Sequence, residues 1–415
     1  MNYKFSIITP SHKYTSYFDE LWESIKSQTY LNWEWIIYLN GSFKMSQLSE
    51  EIRNDKRVKI YTGESHSNVG YIKNKAFNLG KGDILVEADH DDLLSENCLE
   101  ELNHAFQDQE VGFAYSEDLL YDMRGDAHKI PWNSENGWTY KWMNFRGEDF
   151  IKIDAFPPTS HSIGIIWYAP DHVRAWRKDF YKMLGGHNPE LNICDDHDLV
   201  IRSYLNTKFY FIPKVLYYYR FLPESDNTQL QRNADIQIKT FELFHKYAQQ
   251  LAERDADLNG LMKVDIGGGL FPRPGYTTID QEDADIICNL NDGIPLPDNS
   301  VGVINASHVI EHLKDPIHTM SEIYRVLCDG GWAFIEVPST DGRGAWQDPT
   351  HVSYWNQNSF WYYTRKEKAQ FIRNTSIRFQ EFRLETSWWE DNIAVTNAWL
   401  CAIKSDKRRP HPVKI

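Results

Sequence analysis

The sequence predicts an α/β protein built as two domains. A chain of 415 residues is longer than one ordinary domain. Its first half alternates short apolar, β-rich runs with segments of helical spacing, which implies a mostly parallel, doubly wound sheet. The same alternation then begins afresh at Lys263, behind a polar helical stretch.

In the first half, strands are expected at Phe5–Thr9, Trp33–Leu39, Val58–Tyr61, Ile84–Ala88 and Val111–Tyr115. Helices are expected between them at Ser16–Gln28, Val69–Leu79 and Ser95–Phe106. In the first of these, Phe18, Leu21, Trp22 and Ile25 share one face. From Tyr121 to Pro170 the pattern gives way to a stretch rich in Trp, Pro and Gly, read as long loops with short elements. Helices are expected again at Arg174–Leu184 and Asp195–Leu205, and strands at Phe209–Phe211 and Val215–Tyr219. Residues 226–262 read as a helical linker. Further strands are expected at Tyr276–Asp280, Ile286–Cys288, Val301–Ala306 and Trp332–Val337, and a terminal strand pair at Phe379–Thr386 and Asn392–Lys404. The domains are thus placed at 1–225 and 263–403, with a basic tail over 404–415.

The bulk numbers exclude several classes. The net charge of −15 argues against a nucleic-acid-binding surface, which needs a basic footprint. Five widely spaced cysteines with no C-x-x-C argue against a disulfide framework or a zinc site, which fits a reducing cytoplasm. The N-terminal apolar run is too short for a signal peptide. No apolar stretch reaches the roughly 20 residues that span a bilayer. The expectation is a cytoplasmic protein without a transmembrane segment.

The densest chemistry is Glu87-Ala88-Asp89-His90-Asp91-Asp92. It follows the apolar run Ile84-Leu85-Val86, so several carboxylates sit where a buried strand leaves its sheet. Ligands of open α/β sheets bind beyond the carboxyl ends of the strands. An Asp-x-Asp there suits a divalent cation with oxygen ligands. The alternative is an acidic loop capping the helix near Ser95. Thr9-Pro10-Ser11 and Asn40-Gly41-Ser42 end two other strands at the same edge, and Asn68-Val69-Gly70 opens a helix carrying Lys73. Asp195 and Asp196 supply a second acidic cluster, which can also be read as a helix N-cap pair.

Taken in order, IITPSHK, YLNGS, NVGYIKNKAFNLGKGDILVEADHDDLL, MLGGHNPELNICDDHDLVIRSY and YYYR resemble a family 2 glycosyltransferase with the GT-A fold. The resemblance covers residues 3 to about 225. It implies that Asp91 ligates Mn2+ or Mg2+, with Asp89 between ribose and metal, and that the ion offsets charge on a departing diphosphate. It implies an inverting displacement with Asp196 as the base that takes the acceptor hydroxyl's proton, and Asp195 beside it holding a hydroxyl. Thr9, Pro10, Ser11, Asn40, Asn68, Lys73 and Asp89 would line the nucleotide-diphosphate sugar, with a UDP-sugar favoured. His161, Trp167, Arg174 and Arg177, with Trp132, Trp138 and Trp142, would form the acceptor side. The chain departs from the family pattern in three places. Asn40 stands where members commonly carry a base-reading Asp, Lys73 where Arg is common, and Asp195 where Glu is usual. Lys73 keeps the charge but loses the bidentate fork.

In the second half, Val264-Asp265-Ile266-Gly267-Gly268-Gly269 ends a strand in a glycine turn, and Asp280 closes the next strand, where a carboxylate can bind ribose hydroxyls. With LPDNSVGVINASHVIEHL and RVLCDGGWAFIEVP, the stretch 263–403 resembles a class I S-adenosylmethionine-dependent methyltransferase, a Rossmann-like fold. Between Gly269 and Asp280, Pro272 and Pro274 leave no room for the usual helix. The resemblance implies that Asp265, Gly267, Gly269, Asp280, Asn289 and Ser307 border S-adenosylmethionine. His351 is a candidate base for methylating a hydroxyl; a structural His capping a loop is the other reading.

The leading expectation is a bifunctional enzyme: a metal-dependent inverting glycosyltransferase acting on a glycan or other hydroxyl acceptor, joined to a domain that methylates a glycan. A glycosyltransferase with an inactive docking module, and a non-catalytic carbohydrate-binding protein, are the alternatives. The arrangement resembles two-domain proteins of large tailed phages and some bacteria, for which the site of action would be the host cytoplasm.

Overall fold

The computed structural model describes residues 1–121, 138–145, 147–167, 169–220, 231–372 and 376–405. Trp132 and the tail beyond residue 405 lie outside the described residues. The chain divides into two compact units, one over Met1–Tyr247 and one beginning at Ala248.

Among the described residues, the first unit holds one sheet of ten strands. They are β1 (Phe5–Ser11), β2 (Trp33–Leu39), β3 (Val58–Thr62), β4 (Ile84–Glu87), β5 (Leu93–Leu94), β6 (Val111–Tyr121), β7 (Tyr140–Phe145), β8 (Glu148–Ile153), β9 (Arg174–Arg177) and β10 (Lys208–Arg220). Their main order is β3-β2-β1-β4-β9-β6-β10-β5. β3, β2, β1 and β4 are mutually parallel, as are β6 and β10. β9 runs antiparallel between β4 and β6, and β5 antiparallel to β10. The β7–β8 hairpin joins β6 through β8.

Helices α1 (Tyr17–Lys26), α2 (Glu50–Asn54), α3 (Val69–Asn78), α4 (Cys98–Ala105), α5 (Ser160–Ile165), α6 (Lys178–Met183) and α7 (Asp195–Asn206) also belong to the unit. The expected face of α1 is buried in full: Phe18, Leu21, Trp22 and Ile25 pack with Phe5, Ile7, Trp35 and Ile37 in the main core. Each such side chain stabilises the fold by roughly 1.5–3 kcal/mol.

Two expectations are corrected. Arg174–Leu184 is not one helix: Arg-Ala-Trp-Arg forms β9, because this run fills the slot between β4 and β6 and buries Ala175 and Trp176 completely. Phe209–Phe211 and Val215–Tyr219 are a single strand, β10, with register shifts around Ile212 and Val215 that accommodate Pro213. The Trp-rich stretch holds the β7–β8 hairpin and a small core of its own, where Trp138 packs with Leu120, Ile151 and Ile153.

A helix over Asn233–Leu258 occupies most of the expected linker, and its residues are divided between the two units. The second unit is a seven-stranded sheet of β11 (Met262–Ile266), β12 (Thr277–Asp280), β13 (Ile286–Ile287), β14 (Val301–Ser307), β15 (Leu327–Pro338), β16 (Phe379–Trp388) and β17 (Ala394–Ala402). Its order is β13-β12-β11-β14-β15-β17-β16. The first five strands are parallel, and β17 is antiparallel to both β15 and β16. No helix separates β11 from β12, as Pro272 and Pro274 require. No helix among the described residues is long and apolar enough to cross a membrane.

Candidate functional site

At the carboxyl edge of β1, β2 and β4, four carboxylates face two cations. Glu87 ends β4 and is buried; its Oε1 accepts from Lys73 Nζ at 2.5 Å. Lys73 reaches it from α3, whose N-terminus lies close to the 188–191 loop. A Cβ on Gly70 would stand 2.1 Å from the Asn188 carbonyl oxygen, so this approach needs glycine. Arg174 opens β9 and is buried; its Nη1 donates to Asp196 Oδ2 at 2.7 Å and lies 3.9 Å from Glu87 Oε2. Asp195 and Asp196 begin α7 behind Cys194, which holds a left-handed backbone at φ 57°. Non-glycine residues in that region cluster at functional sites.

The charges are unequally matched. Burial pushes the Asp195 carboxyl up to about 7, with Lys73 opposing and Asp196 and Glu87 adding to the rise. Burial likewise raises Asp89 to about 6. Burial works to raise Glu87 and Asp196 too, but Lys73 outweighs it at Glu87, held at about 2, and Arg174 outweighs it at Asp196, held well below the usual carboxylate range. Burial keeps His172 and His187 neutral, both near 3. The edge therefore carries more acid than its own cations neutralise, which favours a bound cation.

Asp89 and Asp91 fit such an ion by donor chemistry. Both offer carboxylate oxygens, and Asp91 is partly exposed, with Oδ1 3.7 Å from His90 Nδ1. No further His, Cys, Asp or Glu among the described residues converges with them as a third ligand. Substrate phosphates and water would complete the shell, as is usual for magnesium-like ions. Asp92 is not a helix cap. It accepts from the Tyr217 hydroxyl at 2.8 Å and the Arg220 backbone N–H at 2.7 Å, tying the acidic loop to β10.

Several predicted contacts are spent inside the protein. Thr9 is fully buried, and its hydroxyl accepts from the Trp35 indole at 2.9 Å. Ser11 donates to the Lys13 carbonyl, and Pro10 beside it is half-buried. Asn40 exchanges two hydrogen bonds with the His66 backbone, closing the 63–68 loop. Asn68 caps α3 by accepting from Tyr71 N–H. His161 is buried in α5 beside Ser160, and Trp167 packs on the small core. Arg177 belongs to the opposite edge: it pairs in register with Ile84, at the start of β4, and donates to the carbonyls of Phe106, Asp108 and Val111. An acceptor role for Arg177 is thereby corrected. Sequence reasoning assigned no role to Glu87; a carboxylate ending a strand opposite Lys73 was the available signal.

In the second unit the glycine turn follows β11. Gly267 has φ +76°, and a Cβ there would stand 2.6 Å from Val309 Cβ. Gly269 N–H donates to Asp280 Oδ2 at 3.1 Å, and Asp280 Oδ1 accepts from Gln281 N–H. Asp265 accepts from Arg273 N–H and from the Asn305 amide. Asn289 caps a short turn, and Ser307 at the end of β14 is exposed, 3.5 Å from Glu336 Oε1. Each carboxylate oxygen has two acceptor sites, so Asp280 keeps capacity for a ribose hydroxyl. The glycine turn, which leaves its backbone N–H groups without side chains in front of them, and this carboxylate suit a ribose-bearing cofactor such as S-adenosylmethionine. His351 has Nδ1 3.0 Å from the Ala345 carbonyl and turns Nε2 toward Glu311.

Two family models match the chain, one within each unit. Residues 6–165 match the model of Glycosyl transferase family 2, and residues 269–335 match that of a Methyltransferase domain. The chain is 24% identical over 202 residues, 48% of its length, to the O-antigen biosynthesis protein RfbC of Myxococcus xanthus, covering 14% of that protein. It is 28% identical over 119 residues, 28% of its length, to the glycosyltransferase GlyG of Streptococcus pneumoniae, covering 40% of it. It is 37% identical over 91 residues, 21% of its length, to the O-antigen biosynthesis glycosyltransferase WbnJ of Escherichia coli, covering 35% of it. The chain thus spans less than half the length of each of these relatives. Among solved structures, S. aureus TarS 1-349 in complex with UDP-GlcNAc aligns with a TM-score of 0.46 and 17% identity, over 62% of this chain and 71% of that one. The chain thus carries a region matching the Glycosyl transferase family 2 model in its first unit, followed by a region matching a Methyltransferase domain in its second.

Proposed function

We propose that the first domain transfers a sugar from a nucleotide-diphosphate donor, UDP-sugars first, to a hydroxyl of a glycan or similar acceptor, with inversion. The observation that carries this reading is the crowding of Glu87, Asp89, Asp195 and Asp196 at one sheet edge against only Lys73 and Arg174. Asp91 and Asp89 would hold Mn2+ or Mg2+. A cation bound there offsets the charge of the leaving diphosphate. Lys73 holds Glu87 and fixes the floor of the site. Thr9, Pro10, Ser11 and Asn68 would border the donor as the ends of their elements, and Asn40 through the loop it closes.

The resemblance gives the proton-accepting role to Asp196. A second reading, favoured by the Arg174 ion pair on Asp196, gives it to Asp195. A general base works best with a pKa near the working pH, and Asp195 at about 7 meets that condition. His161 and Trp167 would flank the acceptor, and Arg174 would position Asp196. In the second domain, Asp265, Gly267, Gly269, Asp280, Asn289 and Ser307 would hold S-adenosylmethionine, which supplies an electrophilic methyl group when bound. His351 stands on the acceptor side. The domains are proposed at 1–225 and 263–403, in a protein acting in the cytoplasm.

The test is a thermal-shift screen of nucleotide sugars with Mn2+. A matching donor at 100 times its Kd adds about 2.7 kcal/mol by mass action. No shift with any donor, against a folded protein, overturns the reading. S-adenosylmethionine binding by calorimetry tests the second domain separately.

A further inference from the structure

Among the described residues, Glu311, His312 and His351 offer three ligand atoms that all lie within 4.8 Å of one another. They come from two segments: the turn after β14 and the loop after β15. Glu311 is 2% exposed, and neither of its carboxylate oxygens has a hydrogen-bond partner. Its Oε1 lies 4.0 Å from His351 Nε2 and 3.6 Å from His308 Nδ1, both beyond hydrogen-bond reach. Glu311 and Glu336 raise the pKa of His308, which offers a partial counter-charge across 3.6 Å, but both buried Glu311 oxygens still lack a hydrogen bond, and a bound cation would satisfy them.

The histidines are prepared as ligands usually are. Metal-binding imidazoles give their second nitrogen to a carbonyl or carboxylate, which fixes ring and tautomer. His351 Nδ1 lies 3.0 Å from the Ala345 carbonyl oxygen, leaving Nε2 directed at Glu311. His312 Nδ1 lies 3.2 Å from the Thr350 carbonyl oxygen. The turn that carries Glu311 and His312 follows His308, a non-glycine residue at φ 53°. Two residues before Glu311, Val309 abuts Gly267 of the glycine turn, so the cluster stands beside the proposed cofactor cradle.

We propose that Glu311, His312 and His351 bind a divalent transition-metal ion of the zinc type. Two imidazoles and one carboxylate match zinc's preferences, and three protein ligands leave one position open, as catalytic zinc sites do. Ligands on tetrahedral zinc stand about 3.3 Å apart, so the set closes by side-chain shifts of about an ångström. Asp348 Oδ2, 3.8 Å from His351 Nε2, stands on the rim. The open position suits an acceptor hydroxyl. That role rests on the methyl-transfer reading, whereas the ion site does not.

The test is titration of the chelator-treated full chain with Co2+, read by visible d–d absorption, and with Zn2+, read by calorimetry. One equivalent with tetrahedral-type absorption is expected. Glu311→Gln and His312→Ala should each lose that equivalent while keeping the wild-type circular dichroism, and Asp91→Asn should retain it. His312 is only half-buried, so its variant keeps the assay informative if Glu311→Gln misfolds. No binding by folded wild type, or full binding by His312→Ala, overturns the site. Co2+ binding without S-adenosylmethionine binding would sink the methyl-transfer reading and leave the ion; the reverse result would sink the ion alone.

Discussion

The two carboxyl edges of this chain settle buried charge in opposite ways. In the first unit, Glu87 and Asp196 are met by the side-chain cations Lys73 and Arg174, and Asp89 and Asp195 are left in excess. In the second, Asp265 and Asp280 are met mainly by N–H groups of the glycine turn and its neighbours. Side-chain pairs hold charge where a ligand's own charge can rearrange it. Backbone donors hold charge where a chain path must stay fixed. On the proposed function, the first edge would take charged reactants and the second a cofactor.

The largest expected break of this contrast is Lys73→Met. It leaves Glu87 buried without its closest cation, and breaking a buried pair costs about 3–5 kcal/mol. Hydrogen exchange resolved along the chain should show lost protection in α3 and β4 while β11 and β14 keep theirs. Equal loss in both units would deny that the charge lock is local.

Gly267→Ala is the corresponding change in the second unit. The new Cβ meets Val309 at 2.6 Å on a backbone that disfavours side chains, and overpacking costs about 1–3 kcal/mol. Protection should fall around β11 and β12, and S-adenosylmethionine binding should weaken.

Asp195→Asn sharpens the charge argument through pH. The folded-state pKa of Asp195, about 7, lies above its ordinary 3.8. Below 3.8 both states hold the proton and its contribution is intact. As pH rises toward 7 the unfolded chain alone gives up the proton, and stability is lost. The Asn variant escapes this loss, so its melting temperature should exceed that of the wild type by more at pH 8 than at pH 5. A pH-independent difference would contradict the raised pKa.

The smallest expected effect is Asp92→Asn. Burial holds this carboxyl well above its ordinary range, and it accepts from the Tyr217 hydroxyl and the Arg220 N–H. A neutral isostere should shift stability by less than about 1 kcal/mol by denaturant titration.

Period and turn chemistry made the alternation of strands and helices legible, because the buried face of α1 and the glycine turn after β11 are local features. β9 was not legible: Arg-Ala-Trp-Arg becomes a strand only because β4 and β6 leave a slot for it. At the site, the residue types at each strand end were readable, but the directions of their side chains were not. Thr9 turns its hydroxyl to Trp35, Asn40 spends its amide on His66, and Arg177 sits three residues from Arg174 at the other edge of the sheet. These outcomes depend on partners distant in sequence. The same holds for Glu311, whose value lies in His351, forty residues on.

The central claim is a metal-dependent sugar transfer at the first edge. Its most direct measurement is nucleotide-diphosphate release from the donor found by thermal shift, with and without Mn2+, in the wild type and in Asp91→Asn. The account predicts release that falls to background on chelation and in the variant, with the variant's fold intact by circular dichroism. Unchanged Mn2+-dependent release in Asp91→Asn would contradict it.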